Sequence, residues 1–265
     1  ETGDNQAMQP VAFDHKAHEQ TAETCRECHH ASLDSCQDGC HTLTGTKKGD
    51  FIRLEQAMHT PQSERSCIGC HAQEQKQPEC AGCHANPVQQ PEQESCDQCH
   101  TTPKGPNGQP LSMQDLAEMP QEKLEQMAAG VIESQPRAEA TYAEKDIPEE
   151  VTIDIMAEEY KPATFPHRKI VNKLMQGIKD SDLATAMHSG NNTVCASCHH
   201  NSPASKNPPK CASCHGKPFN PDTPQRPGLK AAYHQQCMDC HTRMELEEPA
   251  ATDCSSCHPK KDAQE

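Results

Sequence analysis

The chain has 265 residues, yet only 32% are apolar, and it holds no Trp, four Phe and three Tyr. So few large side chains exclude an ordinary protein interior for this length, and no apolar run approaches a membrane span. A net charge of −15 excludes nucleic acid and anionic membrane surfaces as partners and favours a basic protein partner.

In chain order, residues 1–10 are polar and read as a loose arm. Phe13-Asp14-His15-Lys16-Ala17-His18 follows, and His15 and His18, three apart, share one side of a helical turn. Next comes Cys25-Arg26-Glu27-Cys28-His29-His30, a C-x-x-C-H motif with a second histidine behind it. The motif recurs as Cys67-Cys70-His71, Cys80-Cys83-His84, Cys96-Cys99-His100, Cys195-Cys198-His199, Cys211-Cys214-His215, Cys237-Cys240-His241 and Cys254-Cys257-His258. A ninth copy, Cys36-Gln37-Asp38-Gly39-Cys40-His41, is one residue longer between its cysteines. Nine copies use all 18 cysteines and leave none for a disulfide.

C-x-x-C-H is the attachment signature of c-type haem: the thiols add to the vinyl groups, and the histidine becomes the proximal iron ligand. One copy alone is weak, because zinc sites and redox dithiols share C-x-x-C. A structural zinc site draws four ligands from two clusters and needs no histidine after each, and a disulfide scaffold places none there. Here the histidine follows all nine times. Nine large, flat, apolar cofactors also account for the composition. The haems are then the core, wrapped by short α-helices and loops with little β, and the apoprotein is expected to be unfolded.

Four histidines of the first hundred residues are spare: His15, His18, His30 and His59. His30 diverges from its neighbour His29 and can reach only another haem. Phe51 to Met58 reads as a short amphipathic helix presenting His59. From 101 to 164 the motifs stop and prolines recur; Gln121 to Ala129 reads as a helix ended by Gly130, and Val151 to Ile155 alternates like one short strand. This segment is read as an ordered, Met- and Glu-rich connector. The second half repeats the first. Phe165-Pro166-His167 echoes Phe13-Asp14-His15, Ala186-Met187-His188 precedes Cys195, Cys195 to His200 repeats C-x-x-C-H-H, and His234 stands just before Cys237. Residues 170 to 186 have helical apolar spacing and read as core.

This order of histidines and motifs resembles the tetrahaem class III cytochromes c of sulfate-reducing bacteria. Two such units with one further motif, over residues 11 to 258, look like the nine-haem members of that family, so the fold class expected is a multihaem cytochrome c. The resemblance implies a tetrahaem domain at 1–94, an isolated haem and connector at 95–164, and a second tetrahaem domain at 165–265, with bis-histidine ligation. By that pattern His15 caps the Cys25–Cys28 haem, His30 the Cys36–Cys40 haem, His18 the Cys67–Cys70 haem and His59 the Cys80–Cys83 haem. His167 then caps the Cys195–Cys198 haem, His200 the Cys211–Cys214 haem, His188 the Cys237–Cys240 haem and His234 the Cys254–Cys257 haem.

Nine such haems need one histidine more than the 17 present. On these assignments the Cys96–Cys99 haem held by His100 has no partner and is five-coordinate, water-bound or capped by Met113, Met119, Met127, Met156 or Met175. A competing assignment gives His167 to that haem and leaves the His199 haem open.

Iron with two histidines is closed to substrate and passes electrons, at lower potential than a Met/His pair. The expectation is therefore an electron carrier and not an enzyme, with a multihaem reductase acting at the one open haem as the alternative. Haem attachment of this kind occurs outside the bacterial cytoplasm, and no signal segment stands at Glu1, so an exported, soluble, periplasmic mature chain is expected. The resemblance implies a periplasmic hydrogenase or a small basic tetrahaem cytochrome as donor and a membrane-bound redox complex of sulfate respiration as acceptor.

Overall fold

A computed structural model describes residues 9–84, 96–135, 142–155, 160–188, 193–203, 205–216 and 219–261. Its elements are short helices and turns with one two-stranded sheet among the described residues, the architecture the composition implies. Buried apolar side chains are few: Ala81, Ile147, Ala163, Met175 and Leu229. A polypeptide folded in this way does not fill its own interior.

The attachment motifs explain many of the helices. Cysteines at i and i+3 and a histidine at i+4 lie on one face of a helical turn, so a single turn presents two sulfurs and an imidazole together. Cys67–Glu74, Pro78–His84, Cys211–His215 and Cys254–Cys257 are helices of this kind. The same closure, motif histidine N–H to first-cysteine carbonyl, recurs at His29 (2.8 Å), His100 (2.9 Å), His199 (2.8 Å) and His258 (2.8 Å). In the longer motif His41 N–H still reaches the Cys36 carbonyl at 2.8 Å. Gly39, at φ +79, takes up the additional residue in a left-handed conformation that costs glycine little. The Thr46 hydroxyl then donates to the Gly39 and Cys40 carbonyls at 2.9 and 2.8 Å.

The backbone clusters into two compact units, Glu1–Glu74 with Gln90–Gln135, and Gln75–Gln89 with Pro136–Glu265. This grouping is not the order of three consecutive blocks suggested by the sequence. In the first unit His15–Thr21 is capped by Asp14, whose carboxylate accepts from Ala17 N–H at 3.0 Å. Leu54–His59 begins three residues later than the amphipathic pattern suggests and packs on Cys67–Glu74. The fifth motif belongs to this unit because Val11 bridges to His100 and Thr101 N–H reaches the Pro10 carbonyl at 3.2 Å. Gly130 does not end its helix, which runs Gln121–Ser134. Nothing crowds Gly130, and one internal glycine costs only about 1 kcal/mol.

In the second unit β1 (Val151–Ile153) pairs antiparallel with β2 (Ala163–Phe165), Val151 opposite Phe165 and Ile153 opposite Ala163. The apolar stretch after it is two helices, His167–Lys179 and Asp182–Met187, the second capped by Ser181 accepting from Ala184 N–H at 3.2 Å. The Arg168 guanidinium donates twice to the Ile147 carbonyl, at 2.9 and 2.8 Å, and ties the first of them to the connector. Leu229–His234, a π-helical turn Gln235–Asp239 and Cys240–Arg243 follow one another without a break. The fourth motif, on Pro78–His84, packs against Cys240–Arg243.

Candidate haem-binding sites

All 17 histidines fall within the described residues, and 16 of them face one another in eight pairs. In the first unit the ring centroids are 6.1 Å apart for His15 and His29, 6.4 Å for His18 and His71, 5.9 Å for His30 and His41, and 5.9 Å for His59 and His100. In the second they are 5.9 Å apart for His84 and His188, 6.2 Å for His167 and His199, 6.0 Å for His200 and His215, and 6.1 Å for His234 and His258. Two metal–nitrogen bonds of about 2 Å, with roughly 1 Å from each nitrogen to its own ring centre, span about 6 Å. Each pair is therefore spaced to hold one iron between its imidazoles.

Six pairs join the residues expected from the motif order, and two do not. His59 faces His100, not His84, and His188 faces His84, not His241. The first change follows from the fold-back of the fifth motif onto Val11, and the second from the packing of the fourth motif in the second unit. His100 and His199 both have facing rings, so neither is the unpaired member. That residue is His241, which has no facing ring among the described residues; its Nδ1 bonds to the Pro249 carbonyl at 3.0 Å. Met175 is buried, and Met113, Met119 and Met127 belong to the first unit. Met156 falls outside the described residues. Met244 follows the His241 helix, but its Sδ lies 3.7 Å from Cys240 Sγ.

Sequence reading missed the carbonyls that orient the rings. His18 lies within its helix, His59 ends its helix and His188 caps one, and each Nδ1 bonds to the carbonyl four residues back, at 2.7, 2.8 and 2.8 Å. His41, His215 and His241 use the Ile52, Pro227 and Pro249 carbonyls at 3.0, 2.8 and 3.0 Å, and His100 uses that of Gln9. A carbonyl at Nδ1 puts the proton there and leaves the Nε2 lone pair for a metal. The helical signal for this was present in Ala57-Met58-His59 and Ala186-Met187-His188, while the loop carbonyls had none. Burial first, and the facing His18 imidazole second, holds His71 below its ordinary value. The same causes act at His84 through His188, and at His199 through His167 and then His200. A neutral imidazole is the form that ligates iron.

The cysteines converge as well. In the first unit burial raises the Cys67 thiol, and Cys99, Cys28 and Cys36, one from each of three other motifs, add to it. In the second unit burial pushes the Cys237 thiol up to about 11, with Cys198, Cys257, Cys240 and Cys211 adding. Burial pushes Cys83 up to about 11 also, with Cys240 and Cys198 contributing next. Cysteines of the motif of His241 thus act on, or are acted on by, thiols of the other four motifs of the unit.

The sequence profile of the class III cytochrome c family matches residues 1–80 and 162–258. The nine-heme cytochrome c of Desulfovibrio desulfuricans is 39% identical over 270 residues, covering 95% of this chain and 80% of the relative.

This chain belongs to the class III cytochrome c family.

The high-molecular-weight cytochrome c of Nitratidesulfovibrio vulgaris is 50% identical over 254 residues, covering 96% of this chain and 46% of that protein. The chain therefore spans about half the length of that relative. The solved nine-haem cytochrome c of Desulfovibrio desulfuricans superposes with a TM-score of 0.83 at 37% identity, over 99% of this chain and 93% of the other. As a class III cytochrome c the chain carries c-type haem, and its 18 cysteines are consistent with nine attachment motifs.

The two re-paired histidines give a direct prediction. Removing a distal imidazole leaves an iron open, so His59→Ala should open the haem of His100 and His188→Ala that of His84. Carbon monoxide titration of each reduced variant should find one more binding haem per chain than the parent. Parent stoichiometry in both variants is the result that contradicts the pairing.

Proposed function

We propose that this class III cytochrome c is a carrier of several electrons. The observation that supports the reading best is the set of eight facing imidazole pairs, each spaced so that its two rings could hold one iron. Bound haem supplies one-electron chemistry by cycling its iron between ferric and ferrous states. The chain's own part is to hold and insulate. The cysteines of each motif would anchor the ring and the motif histidine would bind the iron, and His15, His18, His30, His59, His167, His188, His200 and His234 would complete eight pairs, His188 with His84. Nδ1–carbonyl bonds orient His18, His41, His59, His100, His188, His215 and His241 and raise their basicity, and two histidines hold potentials below those of a Met/His pair. The division is four haems on the first unit and five on the second.

Partners follow from charge and chemistry. A net charge of −15 suits a lysine-rich donor such as a small basic tetrahaem cytochrome, itself fed by a periplasmic hydrogenase. The acceptor proposed is a membrane-bound redox complex of sulfate respiration. The place of work proposed is the periplasm, since covalent haem attachment occurs outside the cytoplasm, and no described helix is long and apolar enough to cross a membrane. The test is stopped-flow reduction by a pre-reduced basic tetrahaem cytochrome c. Reduction should be fast at low ionic strength and slow steeply as salt screens the attraction; a rate indifferent to salt would count against this donor class.

A second reading has an observation behind it. The iron held by His241 would keep an open position, so a reductase acting there is the alternative. It calls for turnover of nitrite or hydroxylamine with a reduced viologen. Ligand binding without turnover leaves the carrier reading standing.

A further inference from the structure

The fourth and eighth motifs meet through a glycine. Pro78–His84 carries Cys80, Ala81, Gly82, Cys83 and His84, and it packs on Cys240–Arg243 within the second unit. Gly82 is buried. A Cβ built there would stand 2.8 Å from Cys240 Sγ and 2.6 Å from Met244 Sδ, and would also strike Met244 Cγ. The methionine end is flexible and can swing away. The Cys240 sulfur cannot, because once attached it is tied to its haem. No residue with a side chain fits this position without moving one motif from the other.

We propose that Gly82 is a positioning residue: its missing side chain sets how closely the attachment site of the unpaired His241 approaches that of the His84–His188 pair, and so sets how fast an electron passes between them. The inference rests on the reading that the His241 iron is open. The location of the motif agrees with a route, because the Cys237–Cys240 sulfurs lie within electrostatic reach of one cysteine from each of the other four motifs of the unit. Among the described glycines of this unit, Gly82 is the one where a single methyl group would collide with a motif sulfur. The transfer is one electron from ferrous iron on the eighth motif to ferric iron on the fourth; no bond breaks and no proton moves.

Electron backflow after photolysis of carbon monoxide tests this on the full-length haem-loaded chain. In the partly reduced, CO-bound protein a flash removes the ligand from the open haem, whose electron then redistributes to its neighbours before the ligand returns. Gly82→Ala should slow that redistribution severalfold, with nine haems still present by mass and with the CO stoichiometry unchanged. Met244→Phe wedges the same contact from the other helix without altering an attachment motif, and it should slow the step too; it serves if Gly82→Ala matures poorly. Wild-type backflow in variants that bind CO normally would overturn the proposal alone. A wild-type chain that binds no CO would overturn the open-haem reading and this proposal with it.

Discussion

Expressed without haem attachment, the chain should be unfolded at neutral pH. Far-ultraviolet circular dichroism should lose its helical signal, and limited proteolysis should degrade the chain without stable fragments. The argument is one of interior. Among the described residues five apolar side chains are buried, while Val11, Phe13, Leu33, Leu43, Phe51, Ile52 and Ile68 of the first unit alone stand exposed. Exposed apolar side chains are ordinary singly, but here they outnumber the buried ones. The isolated helices, mostly 4 to 8 residues long, are too short to persist in water without a surface to pack on. Haem supplies that surface, and the thioethers prevent its loss. A protease-resistant apoprotein with native helix content would sink the claim that cofactor and core are one.

The oxidised, loaded protein should show a single high-spin ferric signal among nine irons in low-temperature EPR, and the reduced protein should bind one carbon monoxide per chain. Eight facing pairs account for all but one of the 17 histidines, and His241 is left with a carbonyl at Nδ1 and no ring opposite. Its motif begins inside a π-helical turn, Gln235–Asp239, a rare insertion that re-aims side chains and is frequent at functional sites. Met238 and Met244 each stand three residues from His241 in sequence; Met244 lies against Cys240 Sγ and over Gly82, at the attachment edge. Alanine in place of His241 should abolish or reshape the high-spin signal, whereas alanine in place of His59 should add a second one. Nine low-spin irons in the parent chain, or a His/Met signature for the ninth, would defeat this assignment.

Much of the site was legible before folding. Spacing of two cysteines and a histidine within one helical turn is local chemistry, so Cys25 to His29 or Cys254 to His258 announces an attachment site wherever it lies. The pair His29 and His30 reads the same way, because neighbouring side chains diverge and must serve different irons. The shortage of one distal histidine is likewise arithmetic. The swap of His59 and His188 was not legible, since each must cross from one packed segment to another. His59 meets His100 only because Val11 holds the fifth motif to the start of the chain, and His188 meets His84 only because the fourth motif packs on the helix of Cys240. Gly130 misled for a related reason: a glycine's tendency to stop a helix is worth about 1 kcal/mol, and neighbouring turns outweigh it.

By itself, then, the sequence determined the cofactor and its number, and it pointed to the anchoring residues and to a cofactor interior, all from composition and from spacings within a few residues. Tertiary structure decided which imidazole faces which, that His241 is the one without a partner, and that Gly82 lets two motifs touch. Those depend on contacts between segments far apart along the chain, where the position of one residue is fixed by the packing of another and no local pattern records it.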